Sequence, residues 1–540
     1  MFIIKYYVLV CLVAFVLLFS VENTLLRLIF FWIATSMMLV CIAYYLDIPT
    51  IFRKKQDGKI SVWIRWAFLP FLIAVRFYNW LVIRRDKVEP IQQISDNLYL
   101  SRRLFKSDVD FLARKNITCI VDVTAEFVGI EGAMTEDKFD YLNVPVLDHK
   151  APSLHRLRHA INWMDTHISM GNSVVVHCAL GRGRSVFVVA AYLLSKDPSL
   201  NVEQVMEEIN QIRSVARLNN TQLKVLSAIK RKKQLHLPAP AWLIANPIAG
   251  GGKWQSESEF ILRELTKRYR FKVMVTSKQV SASQFAAEAA TEDIKVVIAC
   301  GGDGTVCEVA QKLVNTDVRL GVVPCGKANA LSHVLYGLSA KVTPISRACE
   351  IILEDNIKEI DTAICNEHLM LLVVGLGIEQ RMIEYANRKQ KDKQGQMAYL
   401  AGFLNNAVSD KTLSVIMELD NKESMELEIH SLAIANTAPF TTLLAQGGEV
   451  PNVDDGKLHI TYLKASESMP QQLLALSDLA LSSLGVKHES DIFEYAQAFC
   501  VTILPAFESD LINYVVDGEM YSASKLNIRL QPKSLKVFSA

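Results

Sequence analysis

The sequence predicts a multidomain chain. N-terminal transmembrane helices come first, then a compact α/β domain, then a two-lobed region in which an α/β lobe precedes a β-rich lobe. Three observations carry this. Apolar residues make up 51% of the 540 positions, and the excess is concentrated at the N-terminus. From about residue 90 to 365, short β-branched runs lead into glycine turns and then helical patterns. From 366 onward, alternating short strands take over. The length suits two to four domains. We place boundaries at 1–87, 88–230, a linker at 231–240, 241–365 and 366–540. A net charge of +2 excludes a globally basic surface, so no nucleic-acid partner is expected. Ten scattered cysteines without a C-x-x-C pair fit neither a zinc site nor a disulfide framework, which points to a reducing compartment.

Phe2 to Phe19 is apolar apart from Lys5, and Leu28 to Leu46 is a second such run, separated from it by "SVENTLLR". Each is close to the roughly 20 residues that cross a bilayer. A cleaved signal peptide is the rival reading of the first run, weakened by the missing small-x-small site. We expect a hairpin of two spans. Arg53, Lys54, Lys55 and Lys59 follow it and Glu22 sits at its tip, so the positive-inside rule puts both ends in the cytoplasm. In a third apolar segment, Val62 to Arg85, Arg65 and Arg76 fall on nearly one helical face with Pro70 between them, beside Trp63, Trp66, Tyr78 and Trp80. An interfacial or re-entrant helix is expected, because a third span would put everything after it outside. The expectation is a multi-pass membrane protein, bacterial inner membrane, with its later domains cytoplasmic.

In the α/β domain, "ITCIVDV" and "SVVVHC" read as buried strands, and "SVFVVAAYLLS" and "NVEQVMEEINQIR" as helices. The second strand runs through His177-Cys178 and a small, glycine-containing stretch to Arg184-Ser185 and a helix. Such a turn is a phosphate cradle: backbone N–H groups point inward and the helix adds its positive N-terminal end. That field, with Arg184 nearby, favours Cys178 as a thiolate nucleophile. Arg184 offers a planar fork to two phosphate oxygens. Ser185 is placed to hydrogen-bond the sulfur as it leaves. Asp148, thirty residues before Cys178, is the candidate general acid, although a lone loop Asp is equally a capping residue. No metal is required.

"ISDNLYLS", "VPVLDHKAPS", "HCALGRGRS" and "RLNNTQL" occur in that order over about 140 residues. In this the segment resembles the cysteine-dependent dual-specificity phosphatase family. The resemblance implies that family's α/β fold, with Cys178 as nucleophile, Arg184 as phosphate binder and Asp148 as acid. It leaves the substrate open among phosphotyrosine, phosphoinositides and phosphatidylglycerol phosphate.

After a basic linker, "AWLIANPIAGGGK" gives a strand, Asn246-Pro247 and a turn at Gly250 to Gly252. "IKVVIACGGDGTVCEVAQKL" gives a strand, the turn Gly301-Gly302-Asp303-Gly304-Thr305 and a helix. "LGVVPCGKANALSHVL" is a third strand–turn–helix unit. Three such units describe a parallel nucleotide-binding lobe with phosphates near the strand C-termini. Gly321 to Lys327 also matches G-x4-G-K. A P-loop is rejected there, because Ala328 replaces the required Ser or Thr and Pro324 lies inside the loop. Beyond 366, "SMELEIHSLAIAN", "KLHITYL", "YVVDGE" and "KLNIRL" read as strands. "YANRKQKDKQGQMAYL" reads as a solvated helix or loop, or as a basic segment meeting acidic headgroups or ATP.

NP-x-x-GGG, GGDGT-x-x-E, PxGxxN, "VPNVDDGKL" and "VDGE", in that order, resemble the diacylglycerol kinase catalytic-domain family, which includes sphingosine kinases. The likeness spans essentially the last 300 residues. It implies ATP-dependent phosphorylation of a lipid hydroxyl between two lobes. Asn246, Gly302, Asp303, Gly304, Thr305 and Asn329 fall on the nucleotide-binding motifs, with Gly301 and Gly326 in the same turns. Asp454 and Asp455 match an acidic element linked to magnesium, and Asp517 or Asp303 would deprotonate the hydroxyl. Gly326-Lys327-Ala328-Asn329-Ala330 departs from the family's G-T-G-N-D, losing a hydroxyl and a carboxylate. Lys327 is a candidate replacement phosphate ligand.

Together these readings predict a membrane-bound bifunctional enzyme, a lipid kinase using ATP and Mg²⁺ joined to a phosphatase acting on a phospholipid monoester. Membrane lipids and ATP are the expected partners. The alternative is a signalling phosphatase with a phosphoprotein substrate and an inactive kinase domain that senses lipid or nucleotide. A third reading is a scaffold with both sites degenerate.

Overall fold

The computed structural model describes residues 2–130, 139–292, 294–377, 380–381, 412–438, 451–465, 493–507 and 510–540. The basic segment Tyr385 to Leu400 lies outside these. The chain divides into two compact units, Met1–Pro240 with Ser258–Val273, and Ala241–Glu257 with Met274–Ala540.

The first unit opens with α1 (Phe2–Ser20) and α2 (Thr24–Leu46). Asn23 makes the tight reversal between them: its side-chain oxygen accepts from Leu25 N at 2.9 Å and Leu26 N at 3.2 Å, satisfying two of α2's free N–H groups. The helices then pack along each other, with the Tyr7 and Tyr44 rings 5.4 Å apart at the end opposite the tip. One described helix, α2, is long and apolar enough to cross a membrane. The apolar stretch of α1, Ile4–Ser20, is shorter, so one qualifying helix stands where two were expected. Large apolar side chains are exposed along both, among them Leu12, Val16, Phe19, Leu25, Leu28 and Phe31. An uncovered apolar surface of this kind marks a binding or membrane face.

The segment after α2 docks on the domain that follows. Lys54 reaches into the interior, its side chain 1% exposed, and pairs with Asp122 at 2.6 Å. One of the four basic residues taken as a topology signal is therefore committed to a buried ion pair. Gly58 sits at φ +75, where a Cβ would lie 2.6 Å from the Tyr141 hydroxyl, so this turn presses directly on that ring. The third apolar segment is two helices, α3 (Val62–Ala67) and α4 (Leu69–Arg85). Pro70 explains the break. It lies in the first turn of α4, where its missing N–H costs nothing, whereas inside one continuous helix its ring would meet the Trp66 carbonyl.

β1 (Ile91–Ser95), β2 (Leu98–Ser101), α5 (Val109–Arg114), β3 (Ile117–Asp122), β4 (Asp140–Asn143), α6 (Leu154–Ser169), β5 (Ser173–His177), α7 (Arg184–Lys196), α8 (Val202–Ile212) and α9 (Asn220–Arg231) complete this α/β domain. The sheet order is β1-β2-β5-β3-β4, with β5 central and parallel to both neighbours. All five β5 residues are buried, as a parallel strand covered on both faces requires. α7 packs Val186, Phe187, Val189 and Ala190 into the core beside Trp163 of α6.

β6 (Ala241–Ala245), α10 (Lys253–Leu265), β7 (Phe271–Val275), α11 (Ala282–Thr291), β8 (Val296–Gly301), α12 (Asp303–Leu313), β9 (Arg319–Pro324), α13 (Ala330–Tyr336) and α14 (Pro344–Glu354) follow, α10 and β7 straddling the division between the units. The three expected strand–turn–helix units are β6–α10, β8–α12 and β9–α13, with β6, β8 and β9 parallel. The described strands beyond are β10 (Ile357–Cys365), β11 (His368–Met370), β12 (Val373–Gly377), β13 (Leu413–Leu419), β14 (Met425–Ala435), β15 (Leu458–Lys464), β16 (Phe493–Ala498), β17 (Cys500–Pro505), β18 (Ile512–Val516), β19 (Glu519–Ala523) and β20 (Leu526–Phe538). They are antiparallel among themselves and enclose a core around Leu376, Ile434, Ile460 and Ile528. β20 returns to pair parallel with β9, which joins the β-rich lobe to the α/β lobe.

Candidate active sites

Two sites emerge, one in each unit. In the first, the turn from Cys178 to Gly183 joins the end of β5 to the first residue of α7, and Arg184 begins that helix. Gly181, at φ +65, lets the turn touch the end of β2, where a Cβ would sit 2.6 Å from Ser101 O. Arg213 braces the same turn by donating from Nε to Gly181 O at 2.7 Å. Ser185 Oγ donates to Cys178 Sγ at 3.2 Å, the contact expected for a nucleophile released as a thiolate.

Arg184 is 2% exposed and Glu126 grips its end-on face, Nη1 to Oε2 at 2.9 Å and Nη2 to Oε1 at 2.8 Å. Nη1 also donates to Val146 O. Burial works against the guanidinium charge, but Glu126 and then Asp148 outweigh it and hold Arg184 well above its usual pKa. Nε makes no hydrogen bond. Its side-on face is therefore turned to the pocket, where a phosphate offers two oxygens to such a fork. Asp148 stands at its edge, Oδ1 3.4 Å from Nε. Cys178, Arg184 and Asp148 line one cavity of about 670 Å³. Part of the cavity wall comes from the N-terminal helices, through Tyr6 and Tyr7 of α1 and Ala74, Val75 and Tyr78 of α4.

Behind Cys178 lies a buried polar group. Asp122 accepts from Lys54, from Thr124 N at 2.9 Å and Oγ1 at 2.6 Å, and from the Tyr141 hydroxyl at 2.8 Å. His177 Nε2 lies 3.7 Å away. Burial would raise the Asp122 pKa, yet Lys54 and His177 prevail and hold it well below the usual carboxylate range. The His177 pKa is pushed down by burial, against the pull of the Asp122 charge.

In the second unit, three glycine turns converge. A Cβ on Gly250 (φ +57) would lie 2.1 Å from Cys325 O, and one on Gly326 would lie 2.5 Å from Gly302 Cα. Asn246 Nδ2 donates to Thr305 Oγ1 at 3.0 Å, and Lys253 Nζ to Gly326 O at 3.1 Å. Asn329 closes the departing turn on itself, accepting from Gly326 N at 2.8 Å and donating to Gly326 O at 3.0 Å. The Asn329 side chain therefore shapes this turn without the family's hydroxyl and carboxylate, and Lys327 is left exposed. The cradle, with the N-terminus of α12 at its centre, suits the phosphates of a nucleotide.

Asp517 faces this turn region. Its two oxygens accept from Leu371 N, Leu372 N and Val373 N at 2.7 to 2.9 Å. Burial first, and the Asp303 charge last, push it up to about 6 against those three N–H groups. The Glu519 carboxylate lies 3.7 Å from where a Gly304 Cβ would be. Asp303 meets no hydrogen-bond partner among the described residues. Asp454 and Asp455 already have protein partners. Asp454 pairs with Lys358 at 3.0 Å, while Asp455 holds His459 Nε2 at 2.8 Å and the N–H groups of Asn452 and Lys457. These two do not form an open cation site as they stand, since a metal would have to displace Lys358 and His459.

Glu126, Lys54, Lys253, Glu519 and the tyrosines of α1 were not singled out from the sequence. Glu126, in "VDVTAEF", gives no local signal, because its partner is 58 positions away.

Residues 98–232 match the family model described as dual specificity phosphatase, catalytic domain, and residues 240–365 match diacylglycerol kinase catalytic domain. The chain is similar to "Uncharacterized protein sll0036" of Synechocystis sp., at 35% identity over 312 residues, covering 55% of this chain and 69% of that protein. It is also similar to "Diacylglycerol kinase" of Staphylococcus haemolyticus, at 26% identity over 285 residues, covering 52% and 82%. A diacylglycerol kinase crystal structure from Bacillus anthracis str. Sterne aligns with a TM-score of 0.42 at 20% identity, covering 56% of this chain and 97% of that one. The chain therefore belongs to the diacylglycerol kinase catalytic-domain family and carries a dual specificity phosphatase catalytic domain in the same polypeptide.

Proposed function

We propose that this is a membrane-bound bifunctional enzyme of phospholipid metabolism, phosphorylating a lipid hydroxyl with ATP in one domain and hydrolysing a phospholipid monoester in the other. One observation carries the reading: helices with exposed apolar faces form part of the wall of the Cys178 pocket, so a phosphate there lies beside hydrocarbon-seeking surface. In the phosphatase, Cys178 Sγ attacks phosphorus while Arg184 holds two oxygens through its side-on face. The P–O bond to the lipid breaks, and Asp148 gives its proton to the departing alkoxide. Water then cleaves the S–P bond, and Ser185 stabilises the thiolate as it leaves.

In the kinase, the three glycine turns and Lys253 hold the nucleotide phosphates. Asp303, a carboxylate without a hydrogen-bond partner among the described residues, takes the proton of the lipid hydroxyl, whose oxygen then bonds to the γ-phosphorus as ADP departs. Asp517 positions the facing turn. Mg²⁺, arriving with ATP, supplies charge neutralisation on the transferred group. Membrane insertion of α2, with both catalytic domains in the cytoplasm, fits this reading.

The test uses full-length protein, Cys178→Ser and Asp303→Ala in detergent, each with labelled ATP, Mg²⁺ and a bacterial lipid extract. A labelled lipid that disappears in Asp303→Ala supports the kinase. More of it in Cys178→Ser means that the phosphatase consumes the kinase product. No labelled lipid in either wild type or Cys178→Ser overturns the kinase assignment and returns the protein to the phosphoprotein reading.

A further inference from the structure

Tyr6, Tyr7 and Ala74 line both the Cys178 pocket and a second, neighbouring cavity of about 420 Å³. Its remaining walls include Val10 of α1, Ile33 and Met37 of α2, and Phe71 and Ile73 of α4. Among the described residues no charged side chain lines it, and the two tyrosines are its sole polar side chains. Tyr7 is fixed at the junction, its ring 5.5 Å from Phe71 and 5.4 Å from Tyr44, both in edge-on contact.

We propose that this cavity is the acyl-chain subsite of the phosphatase. A phospholipid monoester binds with its phosphate over Cys178 and Arg184 and lays one hydrocarbon chain between α1, α2 and α4. The proposal rests on the lipid reading above and specifies its substrate class, a monoester carrying a long acyl chain.

Chemistry separates this occupant from a phosphopeptide. A peptide continuing into the cavity would bury backbone N–H and C=O groups where almost nothing can pair with them, and each unpaired group opposes binding. A hydrocarbon chain has no such groups. The cavity also opens toward lipid-facing surface, since Val10 is 43% and Ile73 57% exposed. A chain entering from the bilayer thus exchanges one apolar environment for another and keeps its phosphate at the polar end.

The experiment uses full-length protein in lipid nanodiscs with glycerol 3-phosphate and its hexanoyl, octanoyl and decanoyl monoesters as probes. The short-chain probes reach the cavity from water, so wild type is expected to gain up to about fourfold in kcat/KM per added methylene until the cavity is full. Val10→Trp and Ile73→Trp fill the cavity from exposed positions. They are expected to flatten that dependence, so the decanoyl-to-hexanoyl ratio falls well below that of wild type. Partitioning into the bilayer cancels between variant and wild type, and the ratio cancels any loss of active enzyme. Ratios equal to wild type in both variants overturn the subsite and leave the lipid reading standing. Hydrolysis of para-nitrophenyl phosphate without any lipid monoester overturns the lipid reading and the subsite with it. A readout independent of turnover uses Cys178→Ser loaded with a diazirine-tailed monoacylglycerol phosphate. Illumination is expected to label Ile33, Met37 or Phe71, whereas labelling confined to the outward positions Leu12 and Leu28 overturns the proposal.

Discussion

Replacing Lys54 by Met removes the cation hydrogen-bonded to Asp122, the only one among the described residues, and keeps the length of the side chain. Asp122 is fully buried, and the hydrogen-bond donors left to it are neutral: Thr124 N and Oγ1 and the Tyr141 hydroxyl. Breaking a buried pair from one side costs about 3–5 kcal/mol, because the other charge stays behind. For a unit of this size, each kcal/mol moves the midpoint by about 2–4 °C, so a drop of about 6–20 °C is expected. The assay is the heat-inactivation midpoint of phosphomonoester hydrolysis in nanodiscs at one scan rate. The pH dependence supplies a second signature. In the wild type the Asp122 pKa is depressed, so its contribution to stability is present above the unfolded value of about 3.9 and is lost as pH falls. Without Lys54 the folded pKa rises above that value, and stability should instead fall as pH rises. Asp122→Asn in the same chain removes the stranded charge and should recover most of the loss. A shift below about 2 °C in Lys54→Met, well under the 6 °C lower bound, or a double variant worse than the single one, refutes the argument.

Arg184→Lys keeps the charge but loses the planar fork and half of the Glu126 grip, and should lower phosphatase kcat/KM by at least about a hundredfold while labelled-lipid formation is retained. Asp303→Asn should cost the kinase a factor of about 10² to 10⁴ in kcat if Asp303 is the base, with little change in KM for ATP. The Asp517 carboxyl titrates at about 6. Turnover that depends on its charge should therefore rise with pH through that value and level off above it, and an activity flat from pH 5 to 8 would exclude such dependence. Lys253→Ala frees the Gly326 carbonyl and should raise KM for ATP several-fold, as read from initial rates at varied nucleotide.

The phosphatase site was legible because its parts are consecutive. Cys178, Arg184 and Ser185 lie on one strand–turn–helix unit, whose glycines and small residues declare the conformation before the fold is known. The same holds for Gly250, Gly302 and Gly326, each needed where two backbones meet. Glu126 and Lys54 were illegible for the opposite reason: each acts on a partner 58 or more positions away, and nothing in its own neighbourhood requires it. Lys54 was read from its charge and its place after an apolar run, a rule that concerns solvated cations and does not foresee a lysine drawn into a core. The acidic pair Asp454-Asp455 shows the converse. Its motif was visible, but the partners that occupy both carboxylates come from β10 and β15. The broken third apolar segment was half legible, since Pro70 marked the interruption without saying that two helices would result.

The turn from Lys54 to Gly58 is pinned to the sheet through Asp122 and Tyr141, so no flexible tether separates the hairpin from the phosphatase. If α2 crosses the bilayer, Cys178 is held at one height above the headgroups and cannot swing out to meet a soluble target. Encounter then becomes a two-dimensional search, in which lateral diffusion in a single leaflet, and not concentration in the surrounding solution, sets how often the enzyme meets its substrate.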